Sequence, residues 1–242
     1  MVSIITCTNR QAQIDYVFQN FQNQLWEPKE LIVILNKDDM DINKWKEKAH
    51  RMKNVTIYQK PEILTLGECL NFGITKAKFD YIAKFDDDDY YGPYYLRHSM
   101  NSFKQTNASV VGKRTAFVYF ERENVLALHT PNYENMFITK KLLGHYQLVK
   151  GATLIFKKKI FERVQFKKIH QGGDTQFIKD CLAHGFQFYS TNKYDFVQIR
   201  RSDLSSHTWK EKEESILKRC QIVSRTKDFE SFVIKKPNDL IQ

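Results

Sequence analysis

Short apolar strands alternate with helical segments along the first 85 residues, and no other feature constrains the fold as strongly. Runs of β-branched and other apolar residues at 2–6, 31–35, 55–58 and 81–85 predict buried strands. The intervals between them carry two helices with an apolar stripe and one short polar helix. The stripe of the helix before the fourth strand consists of Leu66, Leu70, Ile74 and Ala77, which are predicted to be buried. Strands that alternate with helices pair in parallel through crossover connections. This half of the chain is therefore predicted to be α/β with a mainly parallel sheet.

The pattern becomes mixed beyond residue 105, where short strands are predicted at 110–111, 115–120, 125–128, 152–156, 186–189 and 194–199. One helix is predicted at 174–183, with Gly185 as its C-terminal stop. The absence of clustered Gly and Pro predicts a single domain over 1–242. Within it we distinguish a parallel-sheet half at 1–105, a mixed α+β half at 106–209 and a helical tail at 210–242.

Four consecutive carboxylates, Asp86 to Asp89, follow the fourth predicted strand. Adjacent negative charges repel one another, so the run indicates an offsetting cation. Oxygen ligands at a strand end suit Mg²⁺ or Mn²⁺, which often complete their shell with substrate phosphates. A nucleotide diphosphate is the ligand that this chemistry predicts. A solvated acidic loop is the alternative.

The residues after the first strand, Cys7 to Arg10, lie at the same predicted edge of the sheet as the acid run. In open α/β sheets, ligands bind beyond the carboxyl ends of the strands. We therefore expect the two segments to share one crevice.

The formal charge of +10 arises from 38 basic and 28 acidic residues. Most basic residues are dispersed along the chain. The surplus fits attraction to nucleic acid, to an anionic substrate or glycan, or to a membrane surface. Charge alone does not choose among these partners.

Cysteine spacing and the start of the sequence bear on the compartment. The four cysteines are widely separated and form no zinc motif, which predicts free thiols. The sequence enters an apolar strand at once, without a basic leader or cleavage site. A cytoplasmic protein is the expectation.

Five segments taken in order resemble the family 2 glycosyltransferases of the GT-A fold over roughly residues 1–200. They are residues 2–10, 30–34, 66–73, 81–89 with Pro93, and 173–177. The resemblance implies a Rossmann-like half that binds a nucleotide sugar, by default a UDP-sugar, and a mixed half that binds a glycan, polysaccharide or protein acceptor. The Lys-rich, Pro-poor composition is also similar to cell-envelope or spore-surface glycosyltransferases of Bacillus-like bacteria, which implies a possible peripheral contact with such a surface.

The resemblance assigns roles to the acid run and to the first loop. Asp86 matches the carboxylate that binds the ribose, with Asp87 beside it, and Asp88 matches the ligand of Mn²⁺ or Mg²⁺. Asp89 is either an outer ligand or approaches the sugar, with solvent exposure as the alternative. The residues implied to contact the nucleobase and diphosphate are Thr6, Thr8, Asn9 and Arg10.

Two positions depart from the family pattern. Thr6 stands where the family often has Pro, and Leu35-Asn36 stand where it usually has two Asp residues. Asn36 is therefore expected to read the base, with Asp38 or Asp39 as alternatives. Gly67 is expected to let the backbone approach the donor.

Asp174 matches the general base of inverting members of the family. A carboxylate within reach of the incoming hydroxyl is the simplest device for removing its proton. Gly173 replaces the family's preceding Glu, and the alternative role for Asp174 is an N-cap. Arg200 and His207 are expected downstream, Arg200 at the diphosphate and His207 at the metal.

Three other functions remain open at this stage. One is a catalytically inactive relative that only binds a nucleotide or glycan, and another is a basic nucleic-acid-binding protein. The third, a nucleotidyltransferase, would need a Gly-rich phosphate loop that this sequence lacks. The glycosyltransferase reading expects no nucleic-acid partner.

Overall fold

The computed structural model describes residues 1–138, 148–201 and 211–240. In it the chain forms two β-sheets with helices packed against them. The strands are β1 (Val2–Thr8), β2 (Lys29–Leu35), β3 (Val55–Gln59), β4 (Tyr81–Lys84), β5 (Tyr90–Tyr91), β6 (Val110–Gly112), β7 (Ala116–Phe120), β8 (Val125–His129), β9 (Met136–Ile138), β10 (Ile155–Lys157), β11 (Phe188–Ser190), β12 (Phe196–Arg200) and β13 (Cys220–Arg225). The helices are α1 (Ile14–Gln22), α2 (Ile42–His50), α3 (Leu66–Lys76), α4 (Tyr95–Gln105), α5 (Gly173–Ala183), α6 (Glu213–Leu217) and α7 (Glu230–Val233).

The larger sheet has the order β3-β2-β1-β4-β10-β6-β11-β9. Strands β3, β2, β1 and β4 are parallel, as the alternating pattern predicts. Strand β10 then runs antiparallel between β4 and β6, so the mixed half extends the sheet of the first half. The predicted α/β class is confirmed. The parallel part brings the carboxyl ends of β1 and β4 side by side.

Helices cover both faces of this sheet, and alternate residues of its strands enter two separate cores. Ile4 and Val33 pack on one face with residues of α1, α2 and α4. Ile5 and Ile34 pack on the other face with residues of α3 and α5. Burial on both faces explains why β1 and β2 read as continuous apolar runs rather than as alternating ones.

The smaller sheet has the order β13-β8-β7-β12-β5. Its edge strand β5 directly follows the acid run and pairs antiparallel with β12. Strand β12 also pairs in parallel with β7. The acid run is therefore fixed at one end by β4 of the larger sheet and at the other by β5 of the smaller sheet.

Two predictions about packing are wrong. The segment predicted to be a helical tail contributes β13, which pairs antiparallel with β8, between the short helices α6 and α7. Leu66, predicted on the buried stripe of α3, is 43% exposed because it occupies the first turn of the helix. Within the described ranges, no helix is both long and apolar enough to span a membrane.

Candidate active site

The acid run lies at the junction of the two sheets, immediately after β4. The Asp86 amide donates a hydrogen bond to the Tyr91 hydroxyl at 2.8 Å, and that hydroxyl donates to the Ala152 carbonyl at 2.6 Å. The side chains of Asp86 and Asp88 are 34% and 21% exposed. These two carboxylates can therefore be reached by a ligand from solvent.

Residues at the end of β1 hold the middle of the acid run. Thr8 Oγ1 donates to Asp87 Oδ2 at 2.5 Å, and Arg10 Nε donates to the same oxygen at 3.0 Å. Arg10 Nη2 also pairs with Asp87 and lies 3.0 Å from Asp88 Oδ2. Burial raises the pKa of Asp87, and the Arg10 guanidinium opposes that rise. Asn9, between the two, is exposed. The two segments that were expected to share a crevice are therefore in direct contact.

Asp89 faces the smaller sheet and is only 4% exposed. Its Oδ1 accepts a hydrogen bond from the Ile199 amide at 3.1 Å, and the Asn20 amide group donates to its backbone carbonyl at 2.9 Å. Burial raises its pKa well above the ordinary value. Solvent exposure of Asp89 is thus a wrong alternative. The residue anchors the acid run to β12.

Asp174 lies in the first turn of α5 and faces the acid run through Lys84. Lys84 is 2% exposed. Its Nζ lies 2.5 Å from Asp86 Oδ1 and 3.2 Å from Asp174 Oδ2. Asp174 Oδ1 is also buried and has no hydrogen-bond partner in the part of the chain that the structure describes. Burial raises the pKa of Asp174, while Lys84 lowers it.

The alternative role of Asp174 as an N-cap is wrong. The capping residue of α5 is Gly172, at a φ of 74°, and no side chain caps the helix. Asp174 instead comes close to the backbone of the turn Gly151–Thr153, where a Cβ on Gly151 would overlap its carboxylate. The absence of a side chain on Gly151 is therefore what leaves room for Asp174.

Three residues predicted to contact the donor have other surroundings. Thr6 is 2% exposed within β1. The Asn36 amide donates to the Pro61 carbonyl at 2.8 Å, which ties the end of β2 to the loop after β3. A Cβ on Gly67 would overlap the Lys167 carbonyl, so this glycine permits α3 to pack on a neighbouring loop rather than on a ligand. A helix packed closely on a loop and a helix packed closely on a ligand both require a residue without a side chain. The sequence therefore cannot distinguish these two reasons for a glycine.

Arg200 and Arg201, at the end of β12, make contacts in different places. Arg200 is 1% exposed, and its Nη2 donates to the Glu211 carbonyl at 3.0 Å. Arg201 Nη2 donates to the Asp88 carbonyl at 3.4 Å. Arg201 is therefore in hydrogen-bond contact with the acid run. His207 lies outside the described residues.

Lys84 and Tyr91 are site residues that the sequence reasoning missed. A lysine inside the apolar strand Tyr-Ile-Ala-Lys-Phe was a usable signal, because buried lysines need partners. Tyr91 gave no comparable signal among the neighbouring tyrosines.

The chemistry of the exposed oxygens permits a divalent cation. Within the described residues, no group of three or more His, Cys, Asp or Glu side chains could hold a metal ion. Mg²⁺ and Mn²⁺ do not require such a cage, since one or two carboxylates with phosphate and water oxygens complete a typical shell. The partly exposed Asp88 fits that mode of binding.

Comparison with sequence families places the same residues in a known context. The model described as "Glycosyl transferase family 2" matches residues 3–169. That span includes β1 from its second residue onward, the acid run and the turn Gly151–Thr153.

Two curated relatives are similar in sequence. The O-antigen biosynthesis glycosyltransferase WbnJ of Escherichia coli is 28% identical over 166 residues, which cover 66% of this chain and 63% of WbnJ. An uncharacterized glycosyltransferase of Haemophilus influenzae is 24% identical over 222 residues, covering 87% of this chain and 84% of the relative. The chain thus spans less than two thirds of WbnJ.

Solved structures share the fold. Residues 1–349 of S. aureus TarS, in complex with UDP-GlcNAc, give a TM-score of 0.60 at 14% identity, covering 86% of this chain and 61% of that one. The mannosyltransferase PcManGT from Pyrobaculum calidifontis, in complex with GDP-Man and Mn²⁺, gives 0.60 at 15% identity, covering 84% and 59%. The GT-A architecture is therefore confirmed.

Proposed function

The chain belongs to glycosyltransferase family 2, and on that basis we propose that it transfers a sugar from a UDP-sugar to a hydroxyl group of a glycan, polysaccharide or protein, with inversion and with a divalent metal. One observation carries the proposal. Asp174 is held through one carboxylate oxygen, while its other oxygen is buried and has no partner among the described residues. Such an oxygen is suited to accept a proton from a bound hydroxyl.

The donor would lie against the end of β1 and the acid run. Asp86, 34% exposed, is available to accept hydrogen bonds from ribose hydroxyls. Arg10 is a quarter exposed, and its planar guanidinium suits a bidentate hold on phosphate. Uridine is the default base implied by the family resemblance. The structures that share the fold hold either UDP-GlcNAc, in TarS, or GDP-Man, in PcManGT, so a donor screen must include both nucleotides.

In the proposed chemical step, Asp174 accepts the proton of the attacking hydroxyl group. The acceptor oxygen attacks the anomeric carbon as the bond from that carbon to the diphosphate oxygen breaks. The acceptor proton passes to Asp174, and the nucleoside diphosphate leaves with the electron pair. A single displacement of this kind inverts the anomeric configuration.

Asp88 would hold the metal, with the diphosphate and water supplying the other oxygens. A bound Mg²⁺ or Mn²⁺ would neutralise the charge that develops on the departing diphosphate. His207 remains a predicted further ligand.

A catalytically inactive relative is the second candidate, because Gly173 replaces the Glu that precedes the family's base. Such a protein would bind UDP but would not turn over a UDP-sugar. The two functions therefore differ in turnover and not in donor affinity.

The test pairs a donor screen with calorimetry. UDP-sugars and GDP-sugars are incubated with the protein and Mn²⁺, and release of the nucleoside diphosphate is measured. UDP binding is titrated with Mn²⁺ and with excess chelator. We expect turnover of a UDP-sugar and chelator-sensitive UDP binding.

Substitutions at Asp88 and Asp86 test their separate roles in binding the metal and the nucleoside. We expect Asp88→Ala to abolish the metal dependence of UDP binding together with activity, and Asp86→Ala to weaken nucleoside binding. Asp15→Ala, at an exposed carboxylate on α1, is the control. Equal UDP affinity in excess chelator contradicts the metal assignment, and binding without turnover of any donor supports the inactive relative.

A further inference from the structure

Lys84 is a cation enclosed in the larger sheet beside the proposed base. It occupies the last position of β4 and is 2% exposed. Its Nζ lies 2.5 Å from Asp86 Oδ1 and 3.2 Å from Asp174 Oδ2. A charge removed from water needs compensating partners, and here two carboxylates from different elements supply them.

The two partners of Lys84 are residues to which the proposed function gives separate tasks. Asp86 is the carboxylate offered to the donor, and Asp174 is the base offered to the acceptor. No other ionisable or hydrogen-bonding side chain contacts the Asp174 carboxylate in the described part of the chain. The position of the base therefore depends on the residue that also holds the donor-binding carboxylate.

We propose that Lys84 is a positioning residue that holds Asp174 in register with Asp86 and so aligns the base with the bound donor. The inference rests on the proposed function. Without the ammonium group, two partly exposed carboxylates would face each other with no cation between them. Their repulsion would move Asp174 away, and a displacement of about 1 Å costs on the order of 10² in rate.

A second buried lysine shows what a purely structural role looks like. Lys29, at the first residue of β2, pairs with Glu27 at 2.8 Å and donates to the Gln24 carbonyl at 2.8 Å. It lies at the opposite end of the parallel strands from the acid run. Lys29→Met is therefore a matched control for Lys84→Met, since both remove a buried, ion-paired lysine.

The first test measures kcat against pH for the wild type and for Lys84→Met, using UDP release from a UDP-sugar. Two charged groups face Asp174, namely Lys84 and Asp86. Cys7 of β1 lies near Lys84. The turn Gly151–Thr153 contributes no titratable side chain. We expect kcat to fall about 10²-fold. The acid side of the profile should move to higher pH, because Lys84 favours the ionised base.

Affinity and the control variants separate positioning from damage to the fold. UDP affinity should change far less than kcat in Lys84→Met, and Lys29→Met should retain the wild-type profile. Lys84→Arg, which keeps the charge, should restore the acid limb at least in part. If Lys84→Met does not fold by circular dichroism, Lys84→Gln takes its place with the same expectations.

A double-mutant cycle tests whether Lys84 acts through Asp174. In an Asp174→Asn background, Lys84→Met should change kcat by less than about 3-fold. A full loss in that background, equal to the loss in the wild type, overturns the inference.

A titration independent of turnover keeps the inference apart from the proposed function. In protein labelled with ¹³Cγ-aspartate, the Asp174 signal, assigned through Asp174→Asn, should titrate at higher pH in Lys84→Met than in the wild type. An unchanged titration overturns the role of Lys84. A wild type that turns over no donor overturns the proposed function while leaving this measurement valid.

Discussion

At the scale of single residues, the two carboxylate oxygens of Asp174 have different surroundings. Lys84 holds Oδ2, and Oδ1 has no partner in the described part of the chain. An orphaned buried oxygen costs free energy unless a ligand satisfies it. A bound hydroxyl would satisfy it, which links the local geometry to the proposed chemistry.

Replacing Asp174 by Asn should separate binding from turnover. The amide keeps the shape of the side chain but is not a base, so UDP affinity should be retained while transfer falls by about 10²- to 10⁴-fold. Calorimetry with UDP and steady-state UDP release provide the two values. Near-normal turnover in this variant would show that the base lies elsewhere.

The pH dependence of kcat should reflect the burial of Asp174. Burial raises the pKa of its carboxyl, and Lys84 offsets only part of that rise. The base works when ionised, so activity is lost as pH falls through this raised pKa. We therefore expect the acid limb, measured with saturating donor, above the ordinary aspartate range. An acid limb at or below that range would contradict the assignment.

At the scale of elements, the turn Gly151–Thr153 and helix α5 meet at the site. The Asp174 carboxylate occupies the space that a side chain on Gly151 would fill. Residue 173 is different, because a Cβ there would meet nothing within 4 Å. The two glycines therefore form a natural comparison.

Gly151→Ala should impair turnover, whereas Gly173→Ala should not. The new methyl group displaces the carboxylate, and a shift of about 1 Å lowers the rate about 10²-fold. Steady-state kinetics of both variants, with UDP affinity measured beside them, checks the expectation. Equal activity of the two variants would mean that the turn does not position Asp174.

A substitution at Gly67 tests whether this residue serves the packing of α3. A Cβ there would overlap the Lys167 carbonyl, and overpacking of this kind costs about 1–3 kcal/mol. Gly67→Ala should therefore lower the free energy of unfolding in denaturant by that amount while leaving UDP affinity unchanged. Selective loss of UDP binding would return Gly67 to the donor site.

At the scale of the whole molecule, the acid run joins the two sheets. Lys84, the last residue of β4, pairs with Asp86, while Asp89 is bound by the Ile199 amide of β12. A ligand that contacts the run therefore stabilises the junction between both sheets. Ligand binding to the folded state alone raises its stability.

UDP with Mn²⁺ should raise the melting temperature. At a ligand concentration about 100 times Kd the gain is about 2.7 kcal/mol, which corresponds to about 5–10 °C for a chain of this size. Differential scanning fluorimetry of the wild type and Asp88→Ala measures it. The shift should disappear with chelator and in Asp88→Ala, and a chelator-insensitive shift would contradict metal-assisted binding.

The sequence by itself determined the α/β class, the position of the acid run at a strand end and its proximity to the end of β1. These follow from local periodicity and from the rule that parallel strands present their carboxyl ends together. The alternation of these four strands with helices along the chain needed no further information, whereas their order in the sheet, β3-β2-β1-β4, came from the structure.

Only the tertiary structure decided which residues meet across long sequence distances. Lys84 and Asp174 are 90 positions apart, and Asp89 and Ile199 are 110 apart. The contacts of Gly67 with Lys167 and of Asn36 with Pro61 were also not predicted, because a glycine or an amide suits packing and ligand binding equally well and the sequence does not show which neighbour it meets. Contact between distant segments depends on how the two sheets pack, and local sequence patterns do not predict that packing.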